Sequence, residues 1–267
     1  MSTPTAHPRR LKAAEALGLG TLLLGGALLA SAGAMPPGMR PASIATSPGP
    51  AKPRPSPPQG STARRTGGVT ALDRNLLVAA AAGDLELVQR LIAAGASAHA
   101  QDERGRTALL VAVNLRHARI ARALMQAGAD VNHQDRESNS AILLAAATNQ
   151  VELVRLALAH GGDPNAMDRY RGTALTVAAQ RGNPEVVRLL LQAGVQVDHV
   201  NGLGWTALLE AIVLGDGSAR YEQVVQLLLD AGADANLADR DGNTPTRHAR
   251  QRGYKTMVKM LMRARGH

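Results

Sequence analysis

A fixed period governs this chain. Asp102, Asp135, Asp168, Asn201 and Asp239 stand 33, 33, 33 and 38 residues apart. Each is followed five residues later by a hydroxyl residue: Thr107, Ser140, Thr173, Thr206 and Thr244. Before each lies an apolar stretch that ends in glycine, at Gly95, Gly128, Gly161, Gly194 and Gly232. A repeat of this length means an array of small units. None can bury its apolar face alone, so neighbours stack and share one continuous core. Such an array offers a long surface rather than a central cleft, which argues for binding rather than chemistry.

The residues inside one period predict two helices. Thr107, Thr173 and Thr206 sit where a helix takes an N-cap hydroxyl. The Ala-rich stretches that follow, at residues 79–82, 145–147 and 178–179, let paired helices approach closely. A second helix carries apolar residues three and four apart, as in Leu87, Val88, Leu91 and Ile92, or Val186, Val187, Leu190 and Leu191. Asp84, Asn183 and Ser218 are placed to begin these outer helices. The terminal glycines fall where a C-cap needs positive φ.

The run Asp-Glu-Arg-Gly-Arg-Thr-Ala-Leu-Leu-Val-Ala at 102–112 resembles the start of an ankyrin repeat, as does Asp-Arg-Asp-Gly-Asn-Thr-Pro-Thr-Arg-His-Ala at 239–249. The unit ends, at 124–132 and 186–194, resemble that family too. The resemblance runs from about Val69 to His267. It implies an all-α ankyrin solenoid of six helix-turn-helix units with β-turn fingers, over about 69–101, 102–134, 135–167, 168–200, 201–238 and 239–267. The copies depart from the family in one consistent way. Where the family has Thr-Pro-Leu-His, the Pro survives only at Pro245 and the His nowhere. The family's His bonds neighbouring repeats, so its loss implies a looser or more purely apolar stack.

Residues 1–68 are a different kind of chain. Arg9, Arg10 and Lys12 precede a Leu-rich uncharged stretch over 16–30, and Ala32, Gly33 and Ala34 follow. This order predicts a secretory signal peptide over 1–34, with an uncleaved anchor over 16–39 as the alternative. No Cys follows that stretch, which argues against a lipoprotein anchor. Residues 35–68 hold at least eight Pro and no acid, which predicts a Pro-rich disordered linker. With the Ala/Arg/Leu-rich, Lys-poor composition, the expected location is the periplasm of a bacterium, or beyond it by secretion. No membrane span is expected after cleavage.

The net charge of +9 is unevenly shared. Residues 1–68 carry +7, residues 69–238 carry −4, and residues 239–267 carry +6. A duplex-binding face needs clustered positive charge, and the repeat body lacks it, so no nucleic-acid partner is expected. The basic last unit reads as a solvated end cap. The chain holds no Cys, no phosphate loop, no nucleophile elbow and no His-Glu-x-x-His. His99, His133 and His199 read as exposed loop residues, too far apart to share a metal. Neither a cofactor nor catalysis is expected.

Candidate binding residues are those that vary within the period. The fingers carry Arg104, Arg106, Arg136, Arg169, Tyr170, Arg171, Leu203 and Trp205. Trp205 is the lone Trp, and Tyr170 is one of three Tyr in a chain without Phe. Trp, Tyr and Arg are the residues that dominate interface energies. The inner helices offer a groove row of Val78, Val111, Leu144, Val177, Glu210 and His248. The resemblance implies that a protein partner binds on fingers and groove, to a monomer. Two variants of that reading are an accessory or inhibitor of a periplasmic enzyme, and an exported effector acting on host proteins. The five extra residues of unit five, within 214–221, read as a tolerated insertion.

Overall fold

The structure is a computed structural model that describes residues 70–264. The expectations for 1–34 and 35–68 lie outside the described residues. Among those described there are six helix pairs and no named strand. The pairs are α1 (Ala71–Ala82) with α2 (Leu85–Ala93), α3 (Ala108–Asn114) with α4 (Ala118–Gln126), and α5 (Ala141–Ala147) with α6 (Val151–Ala159). They continue as α7 (Ala174–Arg181) with α8 (Pro184–Gln192), α9 (Ala207–Val213) with α10 (Ala219–Asp230), and α11 (Pro245–Gln251) with α12 (Lys255–Ala264). Each inner helix packs on its own outer partner and on the inner helix of the next pair. No described helix is long and apolar enough to cross a membrane. This is the all-α solenoid that the sequence implied.

The periodic hydroxyls start the inner helices. Thr107, Ser140, Thr173, Thr206 and Thr244 each accept the N–H three residues on, at 3.3–3.5 Å. Each such cap is worth about 1 kcal/mol. Thr70 does the same for α1 and receives Asp73 in return, a capping box. Behind the caps, Ala79, Ala112, Ala145, Ala178, Ala211 and Ala249 are fully or almost fully buried. Their small side chains let the inner helices lie close, and Leu76, Leu109, Ile142, Leu175 and Leu208 fill the space between layers.

The outer helices begin differently from expectation. Asp84 caps α2 by accepting the Leu87 N–H at 2.9 Å. Asn183 and Ser218 make no cap bond to their own helices. The Asn183 amide instead donates to the Ala146 carbonyl of the preceding unit at 3.1 Å. The equivalent residues do likewise. Gln150 donates to the Val113 carbonyl at 2.8 Å, the His117 ring lies 3.4 Å from the Ala81 carbonyl, and Tyr254 donates to the Gly215 carbonyl at 2.8 Å. These carbonyls lie at or just past the C-terminal ends of inner helices, where the helix itself supplies no donor. The stack is therefore not purely apolar. A second polar ladder runs along the edge opposite the fingers and takes the place of the missing His.

Two of the loop histidines are half-buried and reach back to the finger of their own unit, which corrects their reading as exposed residues. His133 Nε2 lies 2.7 Å from the Gly105 carbonyl, and His199 Nε2 lies 2.6 Å from the Arg171 carbonyl. His99 is exposed. The insertion of unit five is likewise built in. Tyr221 is 6% exposed and its hydroxyl donates to the Gln180 carbonyl of unit four at 3.0 Å. A Cβ on Gly215 would collide with the Ala211 carbonyl and sit 2.7 Å from the Tyr221 ring. The extra residues thus carry two tyrosine hydroxyls, one from within and one from unit six, that tie the loop to both neighbours.

Candidate functional site

Each finger is a turn held by its first residue. Asp102 Oδ1 accepts the N–H groups of Arg104 and Arg106, both at 2.9 Å, and the Gly105 N–H closes the turn on the Asp102 carbonyl at 2.9 Å. The same pattern recurs at Asp135, Asp168, Asn201 and Asp239. The fourth turn residue must be left-handed, and it is Gly105, Ser138, Arg171, Gly204 or Gly242. Arg171 holds φ at 61°, a conformation that costs a non-glycine residue about 1 kcal/mol. Neighbouring tips are joined through their backbones. The Arg136 N–H donates to the Arg104 carbonyl at 3.0 Å, and the Gly202 N–H to the Tyr170 carbonyl at 2.7 Å.

The turns place the candidate side chains as follows. Arg104, Arg136 and Arg171 are exposed, and among the described residues none of their guanidinium groups has a partner. Arg106 is turned back onto Asp102 by a 2.7 Å ion pair. Burial alone would raise the Asp102 carboxyl, but Arg106 and the turn N–H groups outweigh it and hold it below its usual value. Arg169 pairs with Glu137 of the preceding finger at 3.3 Å and lies over the Tyr170 ring at 4.9 Å. Leu203 and Trp205 are half-buried. Trp205 is not part of the Arg169–Tyr170 stack, and its indole N–H has no partner among the described residues. In the groove row, Val111 and Leu144 are each only 5% exposed and serve packing, Val177 is half-buried, and Val78 is 66% exposed.

Beneath finger five lies a carboxyl that the sequence places only in the groove row. Glu210, on α9, is 2% exposed. Its Oε1 accepts the Asn201 amide at 2.8 Å, and its Oε2 has no hydrogen-bond partner. Burial, with a smaller push from Asp168, raises its pKa to about 7. This contact explains why finger five starts with Asn. An Asp at 201 would set two carboxylates within hydrogen-bond distance of each other, whereas the amide offers a turn acceptor on one side and a donor to Glu210 on the other. Unit six solves the same contact with roles exchanged. There the finger keeps Asp239, and the inner helix supplies His248, whose Nε2 lies 2.7 Å from Asp239 Oδ2. The signal in the sequence was a coincidence of exceptions: the one Asn among Asp residues, nine before the one acid in an apolar row.

The finger edge therefore offers separated guanidinium groups and a Tyr–Arg stack, next to a half-exposed indole. It has the components of a protein-recognition surface. Among the described residues no group of His, Asp and Glu could hold a metal.

Comparison with known proteins agrees with this geometry. A family model described as "Ankyrin repeats (3 copies)" matches residues 76–168 and 142–239. Over 70 residues, 26% of this chain, the sequence is 46% identical to YahD of Escherichia coli (strain K12), a protein provisionally assigned ankyrin repeats. That match spans 35% of YahD's length. A crystal structure of an ankyrin repeat domain from Acinetobacter baumannii AYE is similar with a TM-score of 0.69 and 49% identity, covering 71% of this chain and 96% of that one. The crystal structure of EF0377, an ankyrin repeat protein, is similar with a TM-score of 0.68 and 36% identity, covering 71% and 97%.

Proposed function

This chain belongs to the ankyrin repeat family, and on that premise we propose that it is a non-catalytic module that binds a protein partner along its finger edge in the bacterial envelope. Ankyrin repeats are in general modules of protein–protein interaction. The observation that carries the finer reading is the row of Arg104, Arg136 and Arg171. Each guanidinium stands exposed and unpaired on its own finger, whereas Arg106 and Arg169 are paired with carboxylates. A guanidinium without an internal partner is free to form a bidentate bond with a partner's carboxylate. Tyr170 and Trp205 add the rigid aromatic area on which interface energy concentrates, and the free indole N–H can donate across the interface.

The envelope location is supported by the order of Arg9, Arg10 and Lys12, the apolar stretch 16–30 and the small residues 32–34. In this reading residues 1–34 direct export and are removed, and residues 35–68 form a solubilising Pro-rich leader to the repeats. The protein that co-purifies with the exported chain is the partner to measure. Its affinity should fall by at least about 2 kcal/mol in the triple variant Arg171→Ala, Tyr170→Ala, Trp205→Ala, as for a hot spot. An affinity indifferent to all three would refute the finger site.

A further inference from the structure

The last layer of the stack is charged in a way its structural role does not require. The position three residues after the cap hydroxyl is Leu110, Leu143 and Leu209 in units two, three and five, and all are buried. Six residues after the hydroxyl stand Val113, Ala146, Ala179 and Ile212, also buried. In unit six these two positions are Arg247 and Arg250, both exposed. They lie three apart on one face of α11. The Arg250 guanidinium reaches Met262 Sδ at 3.6 Å, so this face of α11 is continuous with the face of α12 that carries Met262. Lys255, Lys259 and Met262 lie at i, i+4 and i+7 on that helix, and all are exposed, Met262 at 54%.

Polarity alone would be enough to end an array. The first unit shows this, because its exposed residues mix Arg74, Arg90, Glu86 and Gln89. The last unit carries no carboxylate side chain after Asp241. Among the described residues, none of Arg247, Arg250, Lys255 and Lys259 pairs with an acid. In units two to five acids are interspersed among the bases, and Arg106, Arg155, Arg169, Arg188 and Arg220 form ion pairs while Arg104, Arg136 and Arg171 stay free. The charge of the last face is thus left free and of one sign.

We propose that this face, Arg247, Arg250, Lys255 and Lys259 around Met262, docks the repeat domain on an anionic phospholipid surface. Two helices side by side make a flat layer, which matches a bilayer and offers no groove for an acidic peptide. The face carries no free aromatic ring on which a nucleic-acid base could stack. Tyr254 is half-buried and holds the Gly215 carbonyl at 2.8 Å. The exposed thioether among long cationic side chains suits the boundary between headgroups and acyl chains, with the Lys and Arg stems reaching up to the phosphates. The finger edge is left clear, so docking and partner binding are compatible.

The test is co-sedimentation of the full chain with vesicles of phosphatidylcholine alone and of phosphatidylcholine mixed with phosphatidylglycerol. Binding should require phosphatidylglycerol and weaken with salt. The variant Arg247→Gln, Arg250→Gln, Lys255→Gln, Lys259→Gln should bind at least about tenfold more weakly, since each basic residue near an anionic leaflet adds about fivefold. Its melting temperature and its affinity for the finger-edge partner should not change. If the fourfold variant fails to fold, the pairs Arg247→Gln with Arg250→Gln and Lys255→Gln with Lys259→Gln should each show part of the loss. Met262→Ser should weaken binding by an increment that salt does not alter. Vesicle binding that survives the charge changes would overturn the proposal and assign attachment to another part of the chain. So would equal binding to both vesicle types, or retention on duplex DNA or polyglutamate with the same dependence on these four residues.

Discussion

Glu210→Gln is the perturbation with the largest calculable effect on folding. The carboxyl is almost fully buried, with one oxygen bonded to Asn201 and the other to nothing. Its pKa moves from 4.5 to about 7 when the chain folds, chiefly through burial. The folded state therefore holds the proton more tightly than the unfolded state, and stability falls as pH rises through that window. Below about pH 4.5 both states are protonated and no cost arises. Above about pH 7 both are ionised and the cost is complete, about 3 kcal/mol at roughly 1.4 kcal/mol per tenfold. Gln keeps the oxygen that accepts from Asn201 and never ionises. Urea unfolding of the two proteins at a series of pH values reads the difference directly. The Gln variant should be more stable by about 2–3 kcal/mol near pH 8, with the gap closing towards about pH 5. The pH at which the gap stops growing reports the folded pKa. A gap that is constant with pH, or that widens on acidification, would refute the argument and mean that water or a rearranged partner already solvates Glu210.

Three further outcomes are expected. Trp205→Ala should cost at least about 2 kcal/mol in partner affinity while leaving the melting temperature nearly unchanged; a fall in melting temperature with binding lost only in step would mean that the ring merely packs. Gly215→Ala should destabilise by more than about 2 kcal/mol, because its Cβ would meet the Ala211 carbonyl and the Tyr221 ring; a thermal melt like that of the parent would show that the insertion is slack. Deleting 135–167 should lower the melting temperature far more than deleting 35–68, since stability in a stack sums units and interfaces, and equal melts would count against a cooperative stack.

What could be read from the sequence was whatever the period repeats with one chemistry. The Asp-to-Thr spacing is local, so the finger turn and the helix cap are legible from Asp102 and Thr107 alone. The second ladder was not, because one structural position is filled by His117, Gln150, Asn183 and Tyr254. These residues share a task, donating across to a helix-end carbonyl, but not a side-chain type. Asn183 read as a cap because Asn favours that position; the distant Ala146 carbonyl that claims its amide becomes a neighbour only when the units stack. The finger arginines were visible as a set, yet which were free depended on the neighbours. Arg106 is four residues from Asp102 and folds back onto it, Arg169 finds Glu137 one unit away, and Arg171 finds no one. Burial of Val111 and Leu144 likewise follows from how closely the Ala-lined helices approach, a distance that periodicity does not set.

The central claim is that this solenoid recognises a protein through its fingers, and photo-crosslinking tests it most directly. A photoreactive residue placed singly at Arg171 or at Trp205 should form an adduct with the partner in intact cells. The same residue at Arg188, exposed on outer helix α8, should form none. Adducts from Arg188 with silence at Arg171 and Trp205 would contradict the account.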